Sequence, residues 1–287
     1  MAEIFGFDAF SPAEIAERVE HVGVKKARLP LLPMLTLGVL AGGFIGLGAL
    51  YFTLITSDPH LGFAISRLLG GLAFSLGLIL VVVAGAELFT GNNLLVMAWA
   101  GRRIATRELL KNWLLIYLAN FVGAFGLAVL VALSNHGGLN GNAVAVQAVK
   151  IAVAKASLPF WEAFFKGILC NILVCLAVWI AMAGRSVTDK IMAIVFPISA
   201  FVAAGFEHSV ANMYFFSVGA LLVAQGPPGL VEAADLPVAG IVGNLVPVTL
   251  GNIVGGGLMV ALVYFIVYRP GASRQAEGVT SPPPAGR

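Results

Sequence analysis

Two stretches of this chain, 120 positions apart, carry one polar pattern inside otherwise apolar runs. Gly85-Ala86-Glu87-Leu88-Phe89-Thr90-Gly91-Asn92 and Gly205-Phe206-Glu207-His208-Ser209-Val210-Ala211-Asn212 both read Gly-x-Glu-x-x-x-x-Asn. An ionisable side chain inside a membrane span costs at least about 2–3 kcal/mol. A matched pair of glycine-bearing polar interruptions therefore points to two corresponding breaks in membrane-buried helices, the arrangement of a transport path with internal symmetry. Hydrophobic residues make up 59% of the chain and charged residues only 11%, with a mean hydropathy of +0.96, which excludes a soluble globular domain of this length.

Apolar segments long enough to cross a bilayer lie near 30 to 56, 66 to 99, 110 to 133, 158 to 183, 188 to 224 and 238 to 268. The chain is thus expected to be an all-α polytopic membrane protein with six spans, the second and fifth broken. Residues 1–28 lack the continuous apolar core of a signal peptide and hold Glu3, Asp8, Glu14, Glu17 and Glu20. They read instead as a cytoplasmic amphipathic helix, opened by the capping box Ser11-Pro12-Ala13-Glu14, with Ile15, Val19 and Val22 on one face against protein or membrane. Residues 269–287, rich in Pro, Gly and Ser, are expected to form a disordered cytoplasmic tail.

With the N-terminus inside, thirteen Lys and Arg fall on the inner side, three (Arg67, Lys150, Lys155) outside, and Lys166 within a span. That bias places both termini in the cytoplasm and accounts for the basic residues without nucleic acid as a partner. Cys170 and Cys175, five apart on one span, point in different directions and read as buried thiols.

The internal repeat runs beyond the breaks. Lys26-Ala27-Arg28-Leu29-Pro30 is echoed by Lys155-Ala156-Ser157-Leu158-Pro159, and Asn112, Asn120 and Gly123 recur as Asn244, Asn252 and Gly255. The repeats span about 26–133 and 155–268 within a channel domain of 29–268. Each holds three spans, an odd number, so the second enters the membrane from the opposite side and the repeats are inverted. The solute site of such an architecture lies where the two breaks meet.

Breaks at membrane depth need polar partners; Thr90, Asn92, Asn93, Ser209 and Asn212 are candidates. Helical pieces resuming after Gly91 and around His208 are expected to aim amides and positive dipole ends at the centre, which favours an anion. His208 is the one histidine inside a span, and imidazole can share a proton with a weak acid; the alternative is a histidine that only bridges loose backbone groups. Glu87 and Glu207 would repel an anion and are expected to face away, bonded to backbone amides or neighbouring spans. Glu162 and Lys166 read as an i,i+4 pair. Phe74 and Leu78 fall on the outer half and Phe201 on the inner half, one on each side of a polar centre if they act as apolar constrictions.

Gly-Ala-Glu-Leu-Phe-Thr at 85–90, Gly-Phe-Glu-His-Ser-Val-Ala-Asn-Met at 205–213 and Pro-Val-Thr-Leu-Gly-Asn-Ile-Val-Gly-Gly-Gly at 247–257 resemble the formate/nitrite transporter family, over about residues 8 to 268. The resemblance implies an aquaporin-like fold assembled as a homopentamer, one pore per protomer, with a mobile loop near 85–93. By position it implies His208 as central histidine, Thr90 as loop threonine, Lys155 as outer lysine drawing in the anion, Asn171 and Asn212 as central polar residues, and Phe74, Leu78, Leu88, Phe201 and Val174 as apolar slits. The expected solutes are small monovalent weak-acid anions, formate before nitrite, with hydrosulfide and short carboxylates also open, passing with protons through a bacterial inner membrane. A neutral-solute channel is the rival from another class, although paired Asn-Pro-Ala boxes are absent from the sequence. An intramembrane enzyme is disfavoured, because adjacent His208 and Ser209 cannot face each other as base and nucleophile. No metal or organic cofactor is expected.

Overall fold

A computed structural model of the chain describes residues 9–226 and 236–269. Of the expected tail only Arg269 lies among them, and residues 1–8 of the leader lie outside. Helix α1 (Pro12–Ala27) opens with the expected capping box: the Ser11 hydroxyl accepts from the Glu14 amide, and the Glu14 carboxylate accepts from the Ser11 amide at 2.7 Å. It is followed by α2 (Leu31–Thr56), α3 (Phe63–Ile79), a π-helical turn over Leu80–Gly85 and a 3-10 turn over Gly91–Leu95. The first half continues with α4 (Val96–Ala100) and α5 (Thr106–Leu133). The second half holds α6 (Ala143–Ala156), α7 (Phe160–Ala181), α8 (Val187–Ala204), α9 (Ser209–Gln225) and α10 (Val238–Ile253). The last span widens to a π-helix over Val254–Leu262 and ends in α11 (Val263–Tyr268).

Six of these stretches are long and apolar enough to cross a membrane, with Ser209–Gln225 as a shorter apolar piece. The fold is two inverted three-span repeats with spans two and five broken, as the sequence implies. Both breaks begin at a glycine in the left-handed region, Gly85 (φ 85°) and Gly205 (φ 76°), where a residue with a Cβ is strained. Span six, expected to be plain helix, departs into the wider π form at Gly255–Gly257.

The symmetry is wider than the sequence repeat suggested. Shifted by 129 positions, α1 falls on α6, a helix that hydropathy alone left inside a loop. The buried residues Ile15, Ala16, Val19 and Gly23 of α1 correspond to the buried Val144, Ala145, Ala148 and Ala152 of α6. Each short helix lies against the half-helix that follows its break, α1 on α4 and α6 on α9. Buried Glu20 fixes α1 further by taking Arg103 (3.3 Å) and Arg269 (2.9 Å). Cys170 and Cys175 are free and buried, as expected.

Span one crosses span three backbone to backbone. A Cβ at Gly42 would overlap the Asn120 carbonyl, and one at Gly123 the Val39 carbonyl, whereas a Cβ at Gly43 meets nothing nearer than the Gly123 oxygen at 3.9 Å. Small residues that let helices touch in this way are a main source of packing energy in membranes. Gly42→Ala is therefore expected to destabilise the protein by about 1–3 kcal/mol through overpacking. Gly43→Ala, one residue along the same helix, should leave thermal unfolding in detergent at or slightly above the wild-type temperature.

Candidate conduction site

The two breaks are held by the same hydrogen-bond network built twice. In the first half Lys26 Nζ lies 2.9 Å from Glu87, Asn92 donates to Glu87 (2.8 Å) and to Asn112 (3.0 Å), and Asn112 donates to the Lys26 carbonyl (3.2 Å). In the second half Lys155 Nζ lies 2.8 Å from Glu207, Asn212 donates to Glu207 (2.6 Å) and to Asn244 (2.8 Å), and Asn244 donates to the Lys155 carbonyl (2.9 Å). Asn120 and Asn252 complete each half. Their amides bind the Gly38 and Glu87 carbonyls and the Gly167 and Glu207 carbonyls, while their oxygens accept from the Phe89 and Ser209 amides.

This corrects two expectations. Glu87 and Glu207 do not face away, since each lines a cavity; their partners are lysine and asparagine side chains, including Asn244 of the neighbouring sixth span, 3.4 Å from Glu207. Lys155 is not a bare attractor: its charge is matched by Glu207, beneath the Phe215 ring whose centroid is 5.4 Å away. The inner counterpart, Lys26, matches Lys155 in the Lys-Ala-x-Leu-Pro echo, and that match is the sequence signal for its pairing with Glu87. Lys166 pairs with Glu162 at 2.6 Å, as its i,i+4 spacing implies.

At the centre, His208 caps α9. Its Nδ1 accepts the Ala211 amide at 3.1 Å, so in the neutral ring the hydrogen sits on Nε2, which donates to Thr90 Oγ1 at 2.9 Å. Both residues are buried. The amides expected to face an anion are largely consumed, since Ser209 donates to Asn252 and Ala211 to His208. Buried amides without water must find protein acceptors, and here the break supplies them.

Asn171 on α7 steadies the threonine segment, donating to the Thr90 carbonyl (3.3 Å), Asn93 (2.8 Å) and the Asn252 carbonyl (2.7 Å). Cys175 also approaches the Thr90 carbonyl, at 3.4 Å. The π-helical Gly256 makes room for this, because a Cβ there would come within 2.6 Å of Cys175 Sγ and against Asn171 Nδ2. Among the described residues, the buried oxygens Asn171 Oδ1, Asn212 Oδ1 and Ser209 Oγ have no partner.

Two cavities approach this centre from opposite faces. One, of about 460 Å³ on the α1 side, is lined by Val22, Lys26, Leu78, Glu87, Leu88 and Asn92, among others. The other, of about 230 Å³ on the α6 side, is lined by Arg67, Phe74, Lys155, Phe201, His208 and Asn212, among others. Phe201 does not lie across the centre from Phe74, as the sequence suggested. The two rings meet edge to face at 5.6 Å, and Phe201 also stacks on His208 at 5.9 Å. Leu78, expected with Phe74, lines the opposite cavity with Leu88. A helix places residues four apart about one turn apart along its axis, so Phe74 and Leu78 occupy the two sides of one narrow crossing. Val174 is buried in the core, one turn beyond Asn171 on α7.

Comparison with known proteins follows the same outline. Residues 13–266 match the family model described as formate/nitrite transporter. The formate channel FocA of Escherichia coli strain K12 is 41% identical over 272 residues, covering 91% of this chain and 95% of that protein. A solved pentameric formate channel with formate bound superposes with a TM-score of 0.78 at 38% identity, over 83% of this chain and 98% of that one. An aquaglyceroporin from Plasmodium falciparum shares the fold alone, with a TM-score of 0.54 at 17% identity, over 85% of this chain and 100% of that one. The chain belongs to the formate/nitrite transporter family.

Proposed function

We propose that this protein passes small monovalent weak-acid anions across the membrane, formate first and nitrite as the alternative within the family, without catalysing a reaction on them. The observation that carries the reading is the sequence of environments along the crossing. A cavity beside a matched Lys155–Glu207 pair gives way to the Phe74–Phe201 slit, and His208 and Thr90 stand hydrogen-bonded directly behind it. An apolar slit strongly disfavours a bare charge, whereas formic acid, being neutral, crosses it at far lower cost. The relation to formate channels supports the choice of solute, and the pentameric relative supports a homopentamer with one path in each protomer.

In this reading a formate anion in the α6-side cavity takes a proton from imidazolium His208, giving formic acid and neutral imidazole. The acid crosses toward the Leu78–Leu88 side, and the ring is reprotonated from the α6 side. Nδ1 cannot take up that proton while it accepts from Ala211, because a protonated Nδ1 would face an N–H. Charging His208 thus requires the ring to leave its capping bond. The unpartnered Asn171 and Asn212 oxygens suit the hydroxyl of the neutral acid. By the positive-inside bias the α1 face is cytoplasmic, both termini are inside, and the host membrane is the bacterial inner membrane. The segment around 85–93 is the inner gate, since Thr90 rides on it. Nothing in this scheme calls for a cofactor or metal.

Flux of formate into proteoliposomes, measured at several external pH values, tests the scheme. Wild-type uptake should rise as external pH falls. His208→Asn retains an acceptor for the Ala211 amide but has no proton to lend. It is expected to lose this rise and leave a small, pH-independent anion leak; an unaltered pH profile in this variant would refute the proton-lending role.

Thr90→Val removes the hydroxyl but keeps the shape, leaving the His208 Nε2–H without its acceptor at a cost of about 1–3 kcal/mol. A fall in formate flux of at least about tenfold is expected, with Thr90→Ser near wild type. In pentamers mixing wild-type and His208→Asn chains, pH-dependent flux should decline linearly with the mutant fraction, as independent paths require. A steeper loss would place the path in shared structure.

A further inference from the structure

Arg67, one of the three basic residues on the outer side, ties α3 to the fifth-span break. It stands on α3 two turns before Phe74. Its Nε donates to the Ala203 carbonyl at 2.8 Å and its Nη2 to the Val202 carbonyl at 3.0 Å. Both acceptors belong to the last turn of α8, immediately after Phe201. The last carbonyls of a helix have no partner within it, and a cation there also meets the negative end of the helix dipole. The planar guanidinium reaches two of them with a rigid fork, which an ammonium cannot reproduce: it fills the Ala203 carbonyl and joins the Gly205 amide, 3.0 Å away, on the Val202 carbonyl.

The chain then turns at Gly205, and a Cβ on that residue would lie 2.8 Å from Arg67 Nη2. Three residues later it reaches His208. The equivalent turn of the first repeat is built differently. A Cβ at Gly85 would meet no side chain within 4 Å. A guanidinium lies against the turn at Gly205, and no described side chain lies so close to the turn at Gly85.

We propose that Arg67 is a positioning residue of the conduction path: its fork on the Val202 and Ala203 carbonyls sets the turn that places Phe201 and His208 against each other. This rests on the reading of the Phe74–Phe201–His208 crossing as the path. The guanidinium lines the same cavity as Lys155 and Lys166, so simple attraction of anions is the competing role, and the two roles differ in what Lys can replace.

The test uses purified, assembled protein carrying Arg67→Lys, Arg67→Met, Gly205→Ala or the double change Arg67→Lys with Gly205→Ala. Formate flux and hydrogen exchange at the amides of Gly205 and Phe206 are both measured. The expected result is a loss of maximal flux of about tenfold in both Arg67 variants, the worth of one charge-assisted hydrogen bond, with a flattened pH profile and faster exchange at both amides. The half-saturating formate concentration of Arg67→Lys should stay close to wild type. Gly205→Ala, which pushes the guanidinium aside and also strains the left-handed turn, should lose at least as much flux, and Arg67→Lys should cost less on the Gly205→Ala background than on the wild type, since the contact is already broken there.

Wild-type flux and exchange in Arg67→Lys, with a raised half-saturating concentration in Arg67→Met, would overturn the clamp in favour of attraction. Losses that multiply in the double variant would overturn it too. If the wild-type protein carries no formate while exchange still accelerates in Arg67→Lys, the solute assignment fails and the clamp stands. If Arg67→Met does not assemble, Arg67→Lys, alone and on the Gly205→Ala background, decides the matter.

Discussion

Every feature of this protein follows from one requirement: a helix broken at membrane depth must find partners for its freed amides and carbonyls within the protein. Asn120 and Asn252 meet that requirement with both ends of the amide, donating to a carbonyl of the break (Glu87 or Glu207) and to one of a neighbouring span (Gly38 or Gly167), and accepting the Phe89 or Ser209 amide. The carboxylates behind them, Glu87 and Glu207, are buried charges, and such charges persist only when paired and hydrogen-bonded. Lys26 and Lys155 pair them, and those lysines arrive on α1 and α6. The short helices are thus as necessary to the breaks as the spans themselves.

The scaffold is doubled, but the chemistry is not. Under the same 120-residue shift that matches Glu87 to Glu207, His208 falls on Leu88, Ser209 on Phe89 and Thr90 on Val210. The second half gives the polar His208 and Ser209 where its twin gives Leu88 and Phe89, and the first gives the polar Thr90 where its twin gives Val210. His208 and Thr90 meet across the pseudo-symmetry, while Phe89 packs against Trp113 and Tyr117 of α5. Exact repetition would have produced either two facing histidines or none.

Much of this was legible in the sequence because it was carried by spacing. The six spans, the inversion, the two breaks and the alignment of Asn112 and Asn120 with Asn244 and Asn252 all follow from periodicity and matched registers. Helix α6 was not legible, because Ala145, Ala148 and Ala152 give a weak hydropathy stripe and its likeness to α1 is one of burial pattern rather than residue type. The joint placement of Phe74 and Phe201 was hidden for another reason. Which half of a span a residue occupies depends on where the break falls, and α8 runs to Ala204 before turning. The occupancy of the Ser209 and Ala211 amides was likewise invisible, since their acceptors are a distant asparagine and the ring of His208 itself.

The stacking of Phe201 on His208 has a mechanical consequence. Phe201 is held between two rings, with Phe74 at 5.6 Å on one side and the imidazole at 5.9 Å on the other. Close-packed groups of this kind shift between discrete arrangements rather than deforming continuously. An imidazole that swings out of its cap must push the phenyl group ahead of it, and a phenyl group that yields to a passing solute frees the imidazole to swing. In the proposed scheme aperture and protonation are therefore one degree of freedom, and a solute too large or too strongly hydrated to move the ring would never meet the proton behind it.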